Sequence, residues 1–306
     1  MRSDLQAFVI GNVTIDETVL IDALPSAGAS IHGRSSHYDL GGKGANQAMV
    51  ISRCGLRTTL VAAVGNDARA SLIRAELRGE ALESRLIELT GKASDASIIL
   101  RLPSGENANI TTTDSAGNLQ LQSVLPHIAT AKPSHFAVLQ GNLAPDTTLC
   151  VLQHAKAIGM ITAFNPSPLR QTFDTLWPLV DIAFLNEGEA FALTKLAGET
   201  AARWLLDRGV TQVILTLGSK GALLVNAKET VLVSASACAV VDTTGAGDTF
   251  MGVALASAAL RKSAIDRLSL YHAAQAAALT VSRTGTRSAF PSVEEMSEIF
   301  SGPLYP

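Results

Sequence analysis

Short apolar runs closed off by turn residues recur along the chain at 8–10, 59–64, 136–139, 161–164, 181–185 and 213–216. They are too short for helices and apolar at successive positions, as strands buried on both faces are. Between them, segments 45–54, 68–77, 147–158 and 187–196 carry helical spacing and good helix formers, several ending at or near a glycine. Strand alternating with helix predicts a parallel sheet covered by helices. Two stretches break the rhythm, 15–40 and 97–113. In the second, Ile98-Ile99-Leu100-Arg101 and Asn109-Ile110-Thr111 flank a Pro103-Ser104-Gly105 turn. These hairpin strands are expected outside the main sheet, as a small β-rich flap over the edge where ligands bind in open α/β folds. Past residue 242 the pattern turns helical, over 245–260 and 264–282.

Composition narrows the classes. At 306 residues and 47% hydrophobic, the chain can bury a sizeable core as one large domain or two ordinary ones. A net charge of −3 without long runs of one sign leaves no footprint for nucleic acid or a membrane surface, so the expected partners are small molecules. Cys54, Cys150 and Cys238 are far apart and lack zinc or redox spacing, which reads as reduced thiols. The start of the chain lacks a leader pattern, and no apolar run approaches the roughly 20 residues of a membrane span. A cytoplasmic location is expected. The six histidines form no H-x-x-x-H or H-E-x-x-H pair, and no G-x-S-x-G occurs, so hydrolase chemistry is unsupported.

Chemistry concentrates in two glycine-rich helix entries. Asp242-Thr243-Thr244-Gly245-Ala246-Gly247-Asp248-Thr249-Phe250 opens a helix of small residues. Free amides at such a start, with the positive end of the helix dipole, suit a phosphate whose charge grows in a transition state. Asp248, in the first turn, is placed to take a proton from a hydroxyl attacking that phosphate. An ordinary capped helix would show the same glycines and acid, so this segment alone leaves both readings open. The second segment, Leu40-Gly41-Gly42-Lys43-Gly44-Ala45-Asn46-Gln47-Ala48, shifts the balance. Its glycines admit a bulky polyhydroxy ligand to the backbone, and Lys43 and Asn46 supply donors and acceptors. It is neither a P-loop nor a G-x-G-x-x-G fingerprint.

Together these segments closely resemble the two signatures of the ribokinase family, the phosphofructokinase-B type carbohydrate kinases, in the right order and separation. The resemblance covers nearly the whole chain. It implies a ribokinase-like three-layer α/β/α sandwich with a mostly parallel sheet and a small β-flap, or lid. It further implies one domain over 1–306, with lid segments at about 15–40 and 97–113, and a homodimer formed through the lid. By the same carry-over Asp248 is the catalytic base, and the amides of Gly245, Ala246 and Gly247 form the anion hole for the γ-phosphate of ATP. Asp16, Gly41, Gly42, Lys43 and Asn46 hold the sugar. Asn186-Glu187-Gly188-Glu189 resembles the family's N-x-x-E motif, with Asn186 at the nucleotide and Glu189 on hydrated Mg²⁺, a cation that prefers carboxylate plus water. Thr216-Leu217-Gly218-Ser219-Lys220-Gly221 resembles the nucleotide-binding turn. Many relatives need K⁺ near the anion hole, and Asp242, Thr244, Thr280, Arg283 and Gly285 fall at the matching places.

Two positions depart from that pattern. Thr14 stands two residues before Asp16, where ribokinases proper usually have asparagine, and Asn142 stands where they commonly carry glutamate. A carboxylate only accepts hydrogen bonds whereas an amide also donates, so both changes bear on which sugar is taken. The expected reaction is transfer from Mg-ATP to a primary hydroxyl of a sugar, a pentose such as D-ribose. The alternatives are a nucleoside kinase, another carbohydrate kinase of the family, or a silent sugar-binding regulator. A phosphosugar would need an added cation, for which Arg34 and Arg101 in the flap are the candidates.

Overall fold

The first strand, β1 (Gln6–Ile10), is buried along its whole length, and its alternate residues feed two cores. Ala7 and Val9 join one apolar cluster, Phe8 and Ile10 the other. A strand apolar on both faces requires helices on both faces, and the rest of the chain supplies them. The computed structural model describes residues 4–103 and 107–302.

From β1 the chain passes through β2 (Thr14–Leu20) and β3 (Ser35–Gly41). It returns by α1 (Lys43–Arg53) to β4 (Arg57–Val64), α2 (Ala68–Leu77) and β5 (Glu83–Glu88). Strands β6 (Ala96–Arg101) and β7 (Asn107–Thr111) and the short α3 (Leu121–Val124) precede the second run of α/β units. These are β8 (Phe136–Gln140), α4 (Pro145–Ala157), β9 (Ile161–Asn165), β10 (Ile182–Asn186), α5 (Glu187–Thr194), α6 (Gly198–Leu206) and β11 (Gln212–Thr216). The chain closes with β12 (Ala222–Asn226), β13 (Thr230–Val233), α7 (Ala246–Arg261), α8 (Arg267–Val281) and α9 (Val293–Ser301).

Among the described residues the strands form two sheets. The larger has nine strands in the order β13-β12-β11-β10-β9-β8-β1-β4-β5. It is parallel from β5 to β11, with β12 and β13 added antiparallel at one edge. The chain lays down β1, moves outward through β4 and β5, then crosses back to start again at β8 on the other side of β1. The switch point therefore falls between β1 and β8, where an open α/β sheet has its natural ligand crevice. Helices α1, α7 and α8 cover one face of this sheet, α4 and α6 the other, giving the three layers expected from sequence.

The smaller sheet, β3-β2-β6-β7, is the lid. Pairing of β2 with β6 and β6 with β7 aligns Asp16, Ser97 and Thr111 in one row, and Glu17, Ile98 and Ile110 in the next. Because side chains alternate, the first row faces the large sheet and the second faces away. Ser104 and Gly105 of the expected turn lie outside the described residues. No helix among the described residues is long and apolar enough to cross a membrane.

Helices α1 and α7 carry the two glycine-rich entries, and Gly252 sets how closely they pack. A Cβ there would stand 2.7 Å from Val50 Cγ1. Gly252→Val is expected to cost about 1–3 kcal/mol through overpacking. A chemical denaturation curve indistinguishable from that of the parent would show that the packing has slack at this point.

Candidate active site

The carboxyl ends of the central strands open onto a cavity of about 530 Å³, roofed by the lid. Asn12 follows β1, Asn142 follows β8, and Gly42, Lys43 and Asn46 come from the start of α1. The lid contributes its inward row, Asp16, Ser97 and Thr111, together with Ile99 and Asn109. A second cavity of about 190 Å³ lies over the ends of β9, β10 and β11, walled by Asn165, Asn186 and Thr216, with Glu189 of α5 beside them. The cavities share Lys43, Thr243, Gly245 and Asp248.

Asp248 is buried in the first turn of α7. Asn46 Nδ2 donates to its Oδ2 at 2.9 Å and Gln47 Nε2 to its Oδ1 at 2.9 Å. Gln47 is itself fixed by Gln140 Nε2, which donates to Gln47 Oε1 at 2.7 Å. Each amide bond to a carboxylate contributes about 1.5–3 kcal/mol, enough to hold the group in one orientation toward both cavities. Asn46 Oδ1 and Asn142 Oδ1 are buried in the wall of the larger cavity and meet no partner among the described residues. Both atoms are sealed from solvent, and such an acceptor costs on the order of 1–3 kcal/mol, which a turn of the amide toward a ligand hydroxyl would recover.

The two helix entries differ in where their first-turn donors go. At α1, Gly44 N–H donates to Asn12 Oδ1 at 3.2 Å and Ala45 N–H to the Asn12 carbonyl at 3.0 Å, so the protein satisfies that end itself. At α7 the N-cap is Gly245, with φ 76°, and no side chain caps it. Only glycine takes that conformation freely, and a Cβ would also press on Phe290 at 2.6 Å. Ala246 N–H turns back to the Thr243 carbonyl at 3.3 Å, while the amides of Gly247 and Asp248 meet no acceptor among the described residues. The α7 end is thus the one left open for an anion.

Asp16 is braced from below. Thr14 Oγ1 donates to Asp16 Oδ1 at 2.6 Å, and a Cβ on Gly41 would fall 2.0 Å from Asp16 Oδ2. Thr14 and Gly41 therefore act through Asp16 and do not line the cavity. Burial pushes the Asp16 carboxyl from 3.8 up to about 6, against the lowering bonds from Thr14 and Ser97 and with help from Asp39 and Asp248.

On the nucleotide side, Asn186 and Glu189 form a capping box. Asn186 Oδ1 accepts from Glu189 N–H at 2.8 Å and Glu189 Oε2 accepts from Asn186 N–H at 3.0 Å. No three His, Cys, Asp or Glu side chains gather into a metal cage among the described residues. One carboxylate on the wall of the smaller cavity fits a hydrated Mg²⁺ carried chiefly by phosphates. Thr216 lines that cavity, whereas Gly218, Ser219, Lys220 and Gly221 form the turn after it and do not. Lys220 reaches Glu187 at 3.5 Å on the surface, and Gly221 is buried against β13.

The residues matched to a K⁺ site do come together, but the one carboxylate among them is already paired with a guanidinium. Asp242 Oδ1 accepts from Thr244 N–H at 3.0 Å, and its Oδ2 accepts from Arg101 Nη1 at 3.2 Å and Gly285 N–H at 3.5 Å. The Thr280 carbonyl already accepts from Arg283 N–H at 3.2 Å, and the Arg283 side chain is paired with Glu295. Arg101 is thereby committed away from the larger cavity, and Arg34 pairs with Asp22 at the exposed lid margin.

Sequence reasoning assigned no role to Gln47, Asn12, Ser97, Asn109 or Thr111. Period-two reading of 97–111 would have picked out the lid residues, since Ser97, Ile99, Asn109 and Thr111 share one face. Gln47 carried no such signal, because its role depends on a residue 201 positions away.

Known proteins share this fold. Residues 5–293 match the pfkB family carbohydrate kinases. The chain is 33% identical over 297 residues to a ribokinase from Mus musculus, covering 92% of this chain and 91% of that protein. A ribokinase structure from Thermotoga maritima superposes with a TM-score of 0.87 at 26% identity, over 97% of this chain and 99% of that one. An Arabidopsis thaliana ribokinase solved with ribose and ATP superposes with a TM-score of 0.84 at 25% identity, over 99% and 100% of the two chains.

The raised Asp16 value has a testable sign. A carboxyl whose folded value exceeds its unfolded one stabilises the fold fully below about pH 4 and loses that contribution as pH rises through about 6. Asp16→Asn should therefore gain on the order of 2–3 kcal/mol relative to the parent between pH 4 and pH 7. Urea denaturation at both pH values measures the difference, and parallel pH dependences for the two proteins would contradict it.

Proposed function

The chain belongs to the pfkB family of carbohydrate kinases, and on that premise we propose that it transfers the γ-phosphate of ATP to a primary hydroxyl of a pentose, D-ribose first among the acceptors. The observation that carries this reading is the position of Asp248, on the shared wall of the two cavities and next to the uncapped start of α7. The sugar occupies the larger cavity, its hydroxyls meeting Asp16, Lys43 and the side-chain amides of Asn46 and Asn142. ATP lies over the ends of β9, β10 and β11 with its γ-phosphate at the start of α7, where the amides of Gly247 and Asp248 are open beside Gly245 and that of Ala246 is turned to the Thr243 carbonyl. Mg²⁺, held by the phosphates and by Glu189 through water, would neutralise charge on the transferring group.

As the hydroxyl oxygen bonds to phosphorus and the bond to the ADP oxygen breaks, the hydroxyl proton passes to the Asp248 carboxylate. No covalent enzyme intermediate is needed. The whole chain acts as one domain, and its lid excludes water, the rival acceptor.

Two features favour a free pentose. Among the described residues no aromatic ring lines the larger cavity, and Tyr38 faces outward with its hydroxyl on Glu17 at 3.0 Å, so none of them offers to stack a nucleoside base. The lid arginines are paired with Asp22 and Asp242, so neither is free for a sugar phosphate. The outer row of the lid exposes Tyr38, Ile98 and Ile110 with Glu17 between the first two, a largely apolar surface suited to the lid of a second copy in a homodimer. We assign the enzyme to the cytoplasm, where ATP is available.

Asp248→Asn is expected to lower kcat by about 10²–10⁴ with little change in sugar binding. ADP release over a panel of D-ribose, other pentoses, hexoses and nucleosides measures both acceptor and residue. Parental turnover in the variant would remove Asp248 as the base, and release only with a nucleoside would remove the pentose.

A further inference from the structure

The inward face of β6 carries Ser97, Ile99 and Arg101 at alternate positions. The first two line the larger cavity, while Arg101 reaches past it to the segment that leads into α7. Its Nη1 donates to Asp242 Oδ2 at 3.2 Å and its Nη2 to the Val241 carbonyl at 3.1 Å, with both ionic side chains largely shielded. The segment it grips is anchored from below, since Val241 and Asp242 N–H both donate to the Val281 carbonyl, at 2.7 and 3.1 Å. From there Asp242 Oδ1 holds Thr244 N–H at 3.0 Å, and the next residue is Gly245, the start of the anion-accepting turn.

We propose that Arg101 is a positioning residue for phosphoryl transfer, a lid-borne cation that fixes and neutralises Asp242 in the role the family resemblance gives to K⁺. This rests on the reading that the α7 amides receive the phosphate. An unneutralised Asp242 carboxylate beside that turn would oppose an incoming phosphate, and some cation must offset it. A K⁺ bound to the same carboxylate would sit within a few ångströms of the guanidinium, and two cations on one partly buried carboxylate repel. Guanidinium and K⁺ are therefore alternatives at this site. Because Arg101 rides on the lid, its grip on Asp242 joins the roof of the sugar cavity to the phosphate site.

The test compares the parent, Arg101→Ala and Arg101→Lys in KCl and LiCl of equal ionic strength. Parent turnover should differ by less than about two-fold between the salts, a small free-energy difference. In LiCl, Arg101→Ala should lose roughly ten- to a hundred-fold in kcat, the usual cost of removing a group that orients a site, and KCl should restore most of it. Arg101→Lys, which keeps the charge, should stay indifferent to the salt. A readout independent of turnover is the melting temperature, which a bound cation raises: KCl over LiCl should raise that of Arg101→Ala by about 2 °C and leave the parent unchanged. A parent strongly activated or stabilised by K⁺, or an Arg101→Ala variant as indifferent to K⁺ as the parent, would overturn the proposal. Since melting is read without any substrate, its outcome stands apart from failure to find an acceptor.

Discussion

The contact on which the site depends is between the two glycine-rich entries, where Asn46 and Gln47 at the start of α1 hold the carboxylate of Asp248 at the start of α7. These residues are about two hundred positions apart in sequence. They meet because α1 and α7 lie on the same face of the sheet and pack closely enough that Gly252 leaves no room for a side chain against Val50. The sheet's switch point between β1 and β8 then lies directly beneath, and Asn12 and Asn142 at its strand ends complete the floor. Loosening that helix pair would disturb the base, the uncapped amides and Lys43 together.

The lid uses the other elementary periodicity. Its strands alternate, turning Asp16, Ser97 and Thr111 inward with Ile99 and turning Tyr38, Ile98 and Ile110 outward with Glu17, so a single sheet both closes the sugar cavity and presents an outer face. Its inward polar groups are tied into the molecule at several depths. Asp16 is braced by Thr14, Asp39 accepts from Thr286 N–H at 3.0 Å, and Arg101 grips Asp242. The roof of the acceptor site and the loop before α7 are thus mechanically joined.

Much of this was legible in the sequence because it is written in local pattern. The six apolar runs all became strands of the large sheet, five extended by a residue or two and 181–185 shifted by one, and the two stretches that broke the rhythm became the lid. β5 escaped notice because Glu83, Arg85 and Glu88 dilute its apolar positions at the sheet edge, and the β12–β13 hairpin because Asn226, whose Oδ1 accepts from Lys228 and Glu229 N–H, is the one strong turn former where its two strands join. The two glycine-rich segments pointed to Asp248, Lys43 and Asn46. What could not be read were interactions that depend on tertiary closure: Gln140 steadying Gln47, Asn12 satisfying α1, and Arg101 taking the carboxylate expected to serve K⁺. Each joins residues far apart in sequence, and neither propensity nor spacing carries that information.

The central claim is that a primary sugar hydroxyl in the lidded cavity attacks a γ-phosphate held at the start of α7. Proton-coupled phosphorus NMR of the products formed from D-ribose, Mg²⁺ and ATP tests it most directly. The account predicts a new monoester whose phosphorus couples to the two methylene protons of the esterified carbon, appearing together with ADP. Inorganic phosphate alone, or a monoester coupled to a single ring proton, would contradict it.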